Sequence, residues 1–227
     1  MGALFPRDDE TIGEAAFSEL KKSIPEVIRL KEPLSIPSNL LAPFCDRLVV
    51  LADMQGDSPS PYGWSPMQLD HGRPGSTVRD WAALPFGGPE QLILPGFHTE
   101  AETALKRPAG GEDVFLSLCG LMAGGSRTIL LSRWRTGGKT SYDLTREFVQ
   151  ELPYTSPPKA WQRSVFLAMQ SELVPAREPR VKASDFDAHL QSDHPFFWSG
   201  YLLVAPGALA TTAEAPRWNE VAAEKKK

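Results

Sequence analysis

Short, nearly continuous apolar runs recur along the middle of the chain, and each ends in a polar or glycine-rich segment. Four such runs occupy residues 47–53, 91–95, 128–132 and 200–205. Strands that are apolar throughout, rather than at every second residue, are typical of a sheet covered on both faces, and such sheets are usually parallel. The sequence therefore predicts a largely parallel β-sheet.

The segments between and before these runs have helical patterns. Helices are predicted at residues 14–23, at 112–123, at 140–152 with Thr140 as its cap, and after Ser156, beginning with Pro157. The second of these is apolar on nearly all sides, which predicts a buried helix. Strands that alternate with helices indicate βαβ units, so the predicted fold is α/β, with a mostly parallel sheet and helices on both faces.

The chain is predicted to divide into three parts. Residues 44–207 carry the strands and most helices and are predicted to form one α/β domain. Residues 1–43 are weakly patterned, and belong either to that domain or to a linker. Residues 208–227 are rich in Ala, Glu and Lys, and we expect them to form a frayed tail.

Composition and charge exclude several classes of function. The 227 residues include 24 Lys and Arg against 28 Asp and Glu, so a basic nucleic-acid footprint is not expected. No run reaches the ~18 apolar residues of a membrane span, and the N-terminus does not resemble a secretory signal. Two cysteines fit a reducing compartment, and we expect a cytoplasmic protein without metal or cofactor.

The predicted topology places a binding site before any chemistry is considered. Ligands of open α/β sheets bind beyond the carboxyl ends of the strands, where residues 53–56, 95–99 and 133–136 follow three of the runs. If these strands are neighbours, the three loops line one cleft. The candidate binding residues on them are Asp53, Gln55, Phe97, His98, Arg133 and Arg135. Tyr62 and Trp64 lie in the proline-rich loop that follows residues 53–56, and they could form either a binding surface or a lid over the sheet.

Two other chemistries receive weaker support. Residues 136–140 (TGGKT) resemble a phosphate-binding loop that would use Lys139, but Arg133 stands where that motif needs a glycine. Cys119 lies in the apolar helix and Cys45 precedes the first strand, so neither thiol is placed as a nucleophile. His98 is the one histidine on the predicted cleft loops. A lone histidine in such a position is more often a hydrogen-bonded structural residue than a catalyst.

Two segments resemble a known family. Residues 116–134 (LSLCGLMAGGSRTILLSRW) and 194–204 (HPFFWSGYLLV) are similar to the two C-terminal motifs of the CHAT domain, a peptidase fold related to caspases and separase. In that family a buried helix leads through a turn to a strand ending in Ser-Leu-Trp, and a final strand follows His-Pro-x-x-Trp. The resemblance covers about residues 44–207 and implies a caspase-like fold.

The resemblance also implies where a catalytic pair would stand. The family's histidine turn, Ala-Thr-His-Gly, corresponds to residues 53–56 and puts Gln55 at the histidine position. Its cysteine turn corresponds to residues 94–99 and puts Phe97 at the cysteine position. Glutamine cannot take up a proton near neutral pH, and phenylalanine has no nucleophilic atom. We therefore expect a degenerate dyad whose two side chains face each other across adjacent strand ends.

Three functions remain open from the sequence. The first is a catalytically inactive CHAT-like pseudo-peptidase that binds a protein or peptide partner or serves as a structural module. The second is an active CHAT-type cysteine endopeptidase with a displaced nucleophile. The third is a nucleotide-binding α/β domain.

Overall fold

The structure is a computed structural model, and it describes residues 10–30, 36–51, 54–56, 62–67, 72–85, 87–99, 112–134, 137–178, 181 and 192–206. The strands are β1 (Arg47–Val49), β2 (Met54–Gln55), β3 (Gln91–Leu94), β4 (Phe97–His98), β5 (Thr128–Ser132) and β6 (Tyr201–Val204). The helices are α1 (Glu10–Ser23), α2 (Ser38–Leu41), α3 (Val78–Ala82), α4 (Glu112–Ala123), α5 (Gly138–Glu151) and α6 (Pro157–Met169).

The main sheet has four strands in the order β1-β3-β5-β6. The first three are parallel, with Leu92 of β3 opposite Leu48 of β1 and Ile129 of β5. The last strand, β6, runs antiparallel to β5. The prediction of a mixed α/β fold with a mostly parallel sheet is confirmed, and the reversed edge strand is new.

Helices cover both faces of this sheet. Successive residues of each strand point to opposite sides, so each strand contributes to two separate apolar clusters. Leu92 and Leu94 pack in one apolar cluster with residues of α3 and α4. Ile93 and Leu130 pack in a second cluster with residues of α5 and α6. The predicted helices on both faces are therefore confirmed, and the apolar runs are explained by burial on two sides.

Two helices differ from their predictions. The side chains of Phe115 and Met122 on α4 are 64% and 51% exposed, so the expectation of a helix buried all round is wrong. One face of α4 covers the sheet, and the other points outward. Helix α5 begins at Gly138, and the predicted cap Thr140 instead lies in its first turn.

The described part of the N-terminal segment packs on the same core. Leu20 of α1 is buried in the cluster beneath α5, and the Glu19 carboxylate lies 3.0 Å from the Arg146 guanidinium. Ser38 of α2 accepts a hydrogen bond of 3.1 Å from the Trp81 indole N–H. The predicted tail, residues 208–227, lies outside the described residues. Within the described ranges, every helix is too short or too polar to cross a membrane.

Candidate functional site

The first two strands of the main sheet each break and then resume as a second, smaller pair. Strand β2 continues beyond β1, strand β4 continues beyond β3, and the two pair in parallel. The backbone N–H of Met54 donates to the Gly96 carbonyl at 2.9 Å, and that of Gly56 donates to the His98 carbonyl at 2.8 Å. The first two predicted site loops are therefore neighbours in space.

The third predicted loop follows β5, which is the other neighbour of β3. The Ser132 hydroxyl at the end of β5 donates to the carbonyl of Phe97, so the end of β5 is tied to β4. We call residues 54–56, 97–99 and 133–134 together the carboxyl edge. The structure thus brings the described parts of all three loops to one edge of the sheet, as the sequence predicted.

The pairing register divides the residues of the carboxyl edge between two faces. Met54 lies opposite Phe97, and Gln55 lies opposite His98. Paired residues of parallel strands point to the same side, and neighbours along a strand point to opposite sides. Accordingly Met54 and Phe97 are buried, whereas Gln55 is exposed and His98 is half-buried. The expectation that Gln55 and Phe97 face each other is therefore wrong, because the two positions are offset by one residue.

Phe97 is part of the apolar core. Its side chain has no exposed surface, and its ring centroid lies 5.0 Å from that of Trp64 at an interplanar angle of 54°. A methyl group on Gly56 would lie 2.5 Å from Cζ of the Phe97 ring, so the backbone of Gly56 seals the ring on another side. Because the ring is enclosed, Phe97 presents no side-chain surface at the carboxyl edge, and its predicted contact with a peptide stays a prediction.

Trp64, one of the two aromatic residues of the proline-rich loop, closes the space over Phe97. Its side chain is 3% exposed, and its indole N–H donates to the Ser117 hydroxyl at 3.1 Å. The Trp64 ring is therefore a lid on the sheet and not a binding surface. A tryptophan in a proline-rich loop was visible in the sequence, but its contact with Phe97 was not.

Gln55 and His98 are the pair that shares the outward face. His98 Nδ1 lies 3.4 Å from the carbonyl oxygen of Gly96, and Thr99 beside it is 1% exposed. An amide and an imidazole can donate and accept hydrogen bonds, but neither supplies the thiolate that a cysteine peptidase requires. The pair can make polar contacts, and its imidazole can also exchange a proton near neutral pH.

Arg133 adds a positive charge at the end of β5. Its side chain is exposed, and its guanidinium carbon lies 6.0 Å from the Trp134 ring centroid. Its backbone N–H donates to the Gly200 carbonyl at 2.6 Å, and a methyl group on Gly200 would lie 2.7 Å from the Trp134 ring. The start of β6 therefore supports Arg133 at the carboxyl edge. The predicted residues Asp53 and Arg135 lie outside the described residues.

The two thiols lie elsewhere. Cys45 precedes β1 at the opposite end of the sheet, and its Sγ contacts the Ala42 carbonyl at 3.4 Å. Burial, with a smaller contribution from Asp46, raises the pKa of the Cys45 thiol. Cys119 is half-buried within α4. Neither thiol belongs to the carboxyl edge, and the Cys45 environment disfavours a thiolate.

The predicted phosphate-binding segment is occupied by the protein itself. The Lys139 ammonium pairs with the Asp143 carboxylate one turn further along α5. The backbone N–H and hydroxyl of Thr140 both donate to Oε1 of Glu178, at 2.8 and 2.7 Å. A carboxylate from the chain therefore takes the place at the N-terminus of α5 that a phosphate would need. Within the described ranges, no three His, Cys, Asp or Glu residues are grouped as a metal site.

Comparison with protein-family models, with curated proteins and with solved structures gave no match to this chain. The resemblance to the CHAT family therefore stands on the two sequence segments that carry it.

Proposed function

We propose that this chain is a non-catalytic CHAT-like domain with a caspase-like fold, and that it binds a protein or peptide partner at the carboxyl edge. The observation that carries the proposal is the pair on the outward face, Gln55 and His98, with the Phe97 ring enclosed beneath it. Gln55 and Phe97 do not form this pair, because the register turns their side chains to opposite faces.

The proposal of inactivity follows from the chemistry of the two faces. A cysteine peptidase needs a thiol and an imidazole within hydrogen-bond reach of each other. His98 lies opposite Gln55 in the pairing register. If the correspondence with the family's histidine and cysteine turns is shifted by one residue, still no cysteine falls at either catalytic position. Losing one member of such a pair lowers the rate by orders of magnitude. The geometry therefore favours binding over turnover.

The proposal of partner binding follows from what the carboxyl edge presents. Gln55 and Arg133 are exposed and His98 is half-buried, so the described residues of this edge give a polar surface that carries the Arg133 cation. Phe97, Trp64 and Met54 form a buried apolar base beneath it. Polar groups at a strand end above such a base suit an extended, partly acidic peptide or loop.

The catalytic part of the proposal is tested with a broad set of peptide substrates and a thiol-reactive covalent probe. We expect no turnover from the wild-type chain or from Cys45→Ser and Cys119→Ser, and no labelling by the probe faster than that of an ordinary thiol. Turnover that either substitution abolishes would support the active endopeptidase and overturn the proposal.

The binding part is tested by cross-linking and quantitative mass spectrometry of partners captured in the cells that make the protein. The test variant combines Gln55→Ala with Arg133→Glu, and the control is Lys159→Glu on the exposed side of α6. We expect the test variant to lose the partners that the control retains, at unchanged thermal stability. Equal capture by both variants would place the interaction elsewhere and overturn the proposal.

A further inference from the structure

Helix α4 presents an apolar flank that the described part of the chain leaves exposed. Phe115 and Met122 are separated by about two helical turns, so they lie on the same side of the helix, and both are exposed. Cys119, which is half-buried, lies between them on that side. Gly120 faces the other way, because a methyl group there would lie 2.6 Å from the Val78 side chain of α3. The exposed flank therefore points away from α3.

The side of α4 that points away from α3 is the side nearer to β6. Helix α3 leads into β3 and α4 links β3 to β5, so α3, α4 and β6 follow one another across the sheet. Leu202 and Val204 of β6 are half-buried and pack against the same apolar cluster as Leu118 of α4. Together with Phe115 and Met122 they line a shallow apolar groove, which we call the α4–β6 groove.

The described chain leaves the sheet at one end of this groove. Val204 pairs with Ile129 near the start of β5, and the turn after α4 leads directly into β5. The end of β6 therefore lies at the same edge of the sheet as the end of α4, where Met122 stands. Residues 207–227 continue from Pro206, so this segment starts at the Met122 end of the groove.

The segment contains one stretch with the spacing of an amphipathic helix. Trp218, Val221 and Ala222 follow the i, i+3, i+4 pattern of a single helix face, and Pro216 suits the first turn of a helix. A helix shorter than about 12–15 residues is marginal in water by itself. This stretch therefore needs an apolar surface to fold against, and burial of the Trp218 and Val221 side chains would supply the stabilisation.

Length and charge match the groove when this helix runs antiparallel to α4. Seven residues of helix span about 10 Å, which is the separation along α4 between its two exposed apolar side chains. Trp218 beside Met122 would therefore bring residues 225–227, all of them lysine, to the other end of α4. Glu112 and Asp113 lie there, in the first turn of α4. The lysines and the carboxylates are of opposite charge.

The size of the groove favours an occupant from the same molecule over a separate partner. The 12 residues of α4 extend for about 18 Å, and one helix laid along them covers a strip about 10 Å wide, which gives a footprint of about 200 Å². A stable interface between separate proteins buries about 800 Å² on each partner. A tethered segment needs less area, because the chain already holds it at a high effective concentration.

We propose that residues 216–227 form a short helix that docks in the α4–β6 groove of the same molecule, antiparallel to α4. Trp218 and Val221 pack against Phe115 and Met122, and the docked helix covers Cys119. This proposal replaces the frayed tail expected from the sequence with a linker, residues 207–215, followed by an anchored helix.

Amide hydrogen exchange on the full chain tests the docking. We expect residues 217–224 to exchange at least about tenfold more slowly than an unstructured peptide of the same sequence. Val221→Asp puts a charge on the docking face and should remove this protection, whereas the matched control Ala223→Asp puts the same charge on the opposite face and should retain it. Phe115→Ser combined with Met122→Ser should remove the protection from the groove side, while the strands of the sheet stay protected.

The Cys119 thiol gives a second measurement of the same contact. In a Cys45→Ser background, a disulfide reagent should react with Cys119 several-fold faster in Val221→Asp than in Ala223→Asp, because docking covers this side of α4.

Three results would overturn the proposal. The first is exchange of residues 217–224 at the rate of the unstructured peptide in the wild type. The second is protection that the groove substitutions leave intact. The third is protection that falls on dilution, which would place a second copy of the chain in the groove. The carboxyl edge takes no part in these measurements, so their result is independent of the proposed function.

Discussion

A single methyl group added at Gly56 tests whether the Phe97 ring is as tightly enclosed as the structure indicates. The new Cβ of Gly56→Ala would lie 2.5 Å from Cζ of Phe97, closer than real Cβ atoms approach. Gly56 does not have a left-handed backbone conformation, so the substitution introduces no backbone strain. The expected effect is therefore the collision with the ring alone.

The expected change in the free energy of unfolding of Gly56→Ala combines two opposing effects. Overpacking a filled core costs about 1–3 kcal/mol, while replacing glycine by alanine stabilises by about 0.4–1 kcal/mol through the unfolded chain. We expect a net loss of about 1–2 kcal/mol in the free energy of unfolding. At about 2–4 °C per kcal/mol for a chain of this size, the melting temperature should fall by about 2–8 °C.

The assay is urea unfolding followed by tryptophan fluorescence, with the slope held common to all variants. Gly87→Ala is the matched control, because a methyl group there meets no atom within 4 Å. Phe97→Leu removes the ring atoms that collide with the new methyl group. On its own it should destabilise by about 1–2 kcal/mol through the cavity it leaves.

The double variant Gly56→Ala with Phe97→Leu tests whether the two side chains collide. If the Gly56 methyl group and the Phe97 ring collide, Gly56→Ala should cost less in the Phe97→Leu background, with a coupling energy of about 0.5–3 kcal/mol. Additive effects, or a Gly56→Ala variant as stable as Gly87→Ala, would refute the enclosed ring and with it the separation of Phe97 from the outward face.

Three further predictions follow from other contacts. Ser117→Ala leaves the buried indole N–H of Trp64 without its acceptor, and should lower the unfolding free energy by about 1–3 kcal/mol in the same urea assay. In thermal-shift measurements Mg-ATP should not stabilise the chain, because Glu178 occupies the N-terminus of α5; a concentration-dependent rise in melting temperature would revive nucleotide binding. In a Cys119→Ser background, Cys45 should react with a disulfide reagent more slowly at pH 8 than an unfolded-state thiol and accelerate at higher pH, because its pKa is raised; equal rates would contradict its buried environment.

The sequence was sufficient to locate the four strands of the main sheet and most of the helices, but not to predict the reversed direction of β6. Apolar runs such as residues 128–132 predict strands buried on both faces, and β5 is buried at every position. The same reasoning placed α4 at Glu112–Ala123 with both ends correct. It did not reveal that Phe115 and Met122 are exposed, because a pattern that is apolar all round does not specify which side meets the sheet.

The site could be located from the sequence but not resolved into faces. Strand order and polarity place the ends of β1, β3 and β5 together, and this was predictable. Whether Gln55 lies opposite Phe97 or His98 depends on a register shift of one residue, and such a shift turns every side chain to the other face. The family resemblance assigned Gln55 and Phe97 to the two catalytic positions along the chain, but it carried no information on how β2 and β4 pair.

The reversed edge strand also constrains the order in which the chain can assemble. The three parallel strands come from a continuous stretch ending at Ser132, whereas β6 pairs Val204 with Ile129 across the intervening α5 and α6. Such distant pairing forms slowly. During synthesis β5 therefore emerges well before the strand that covers its outer edge, and a chain stalled between the two would present that edge as a template for aggregation.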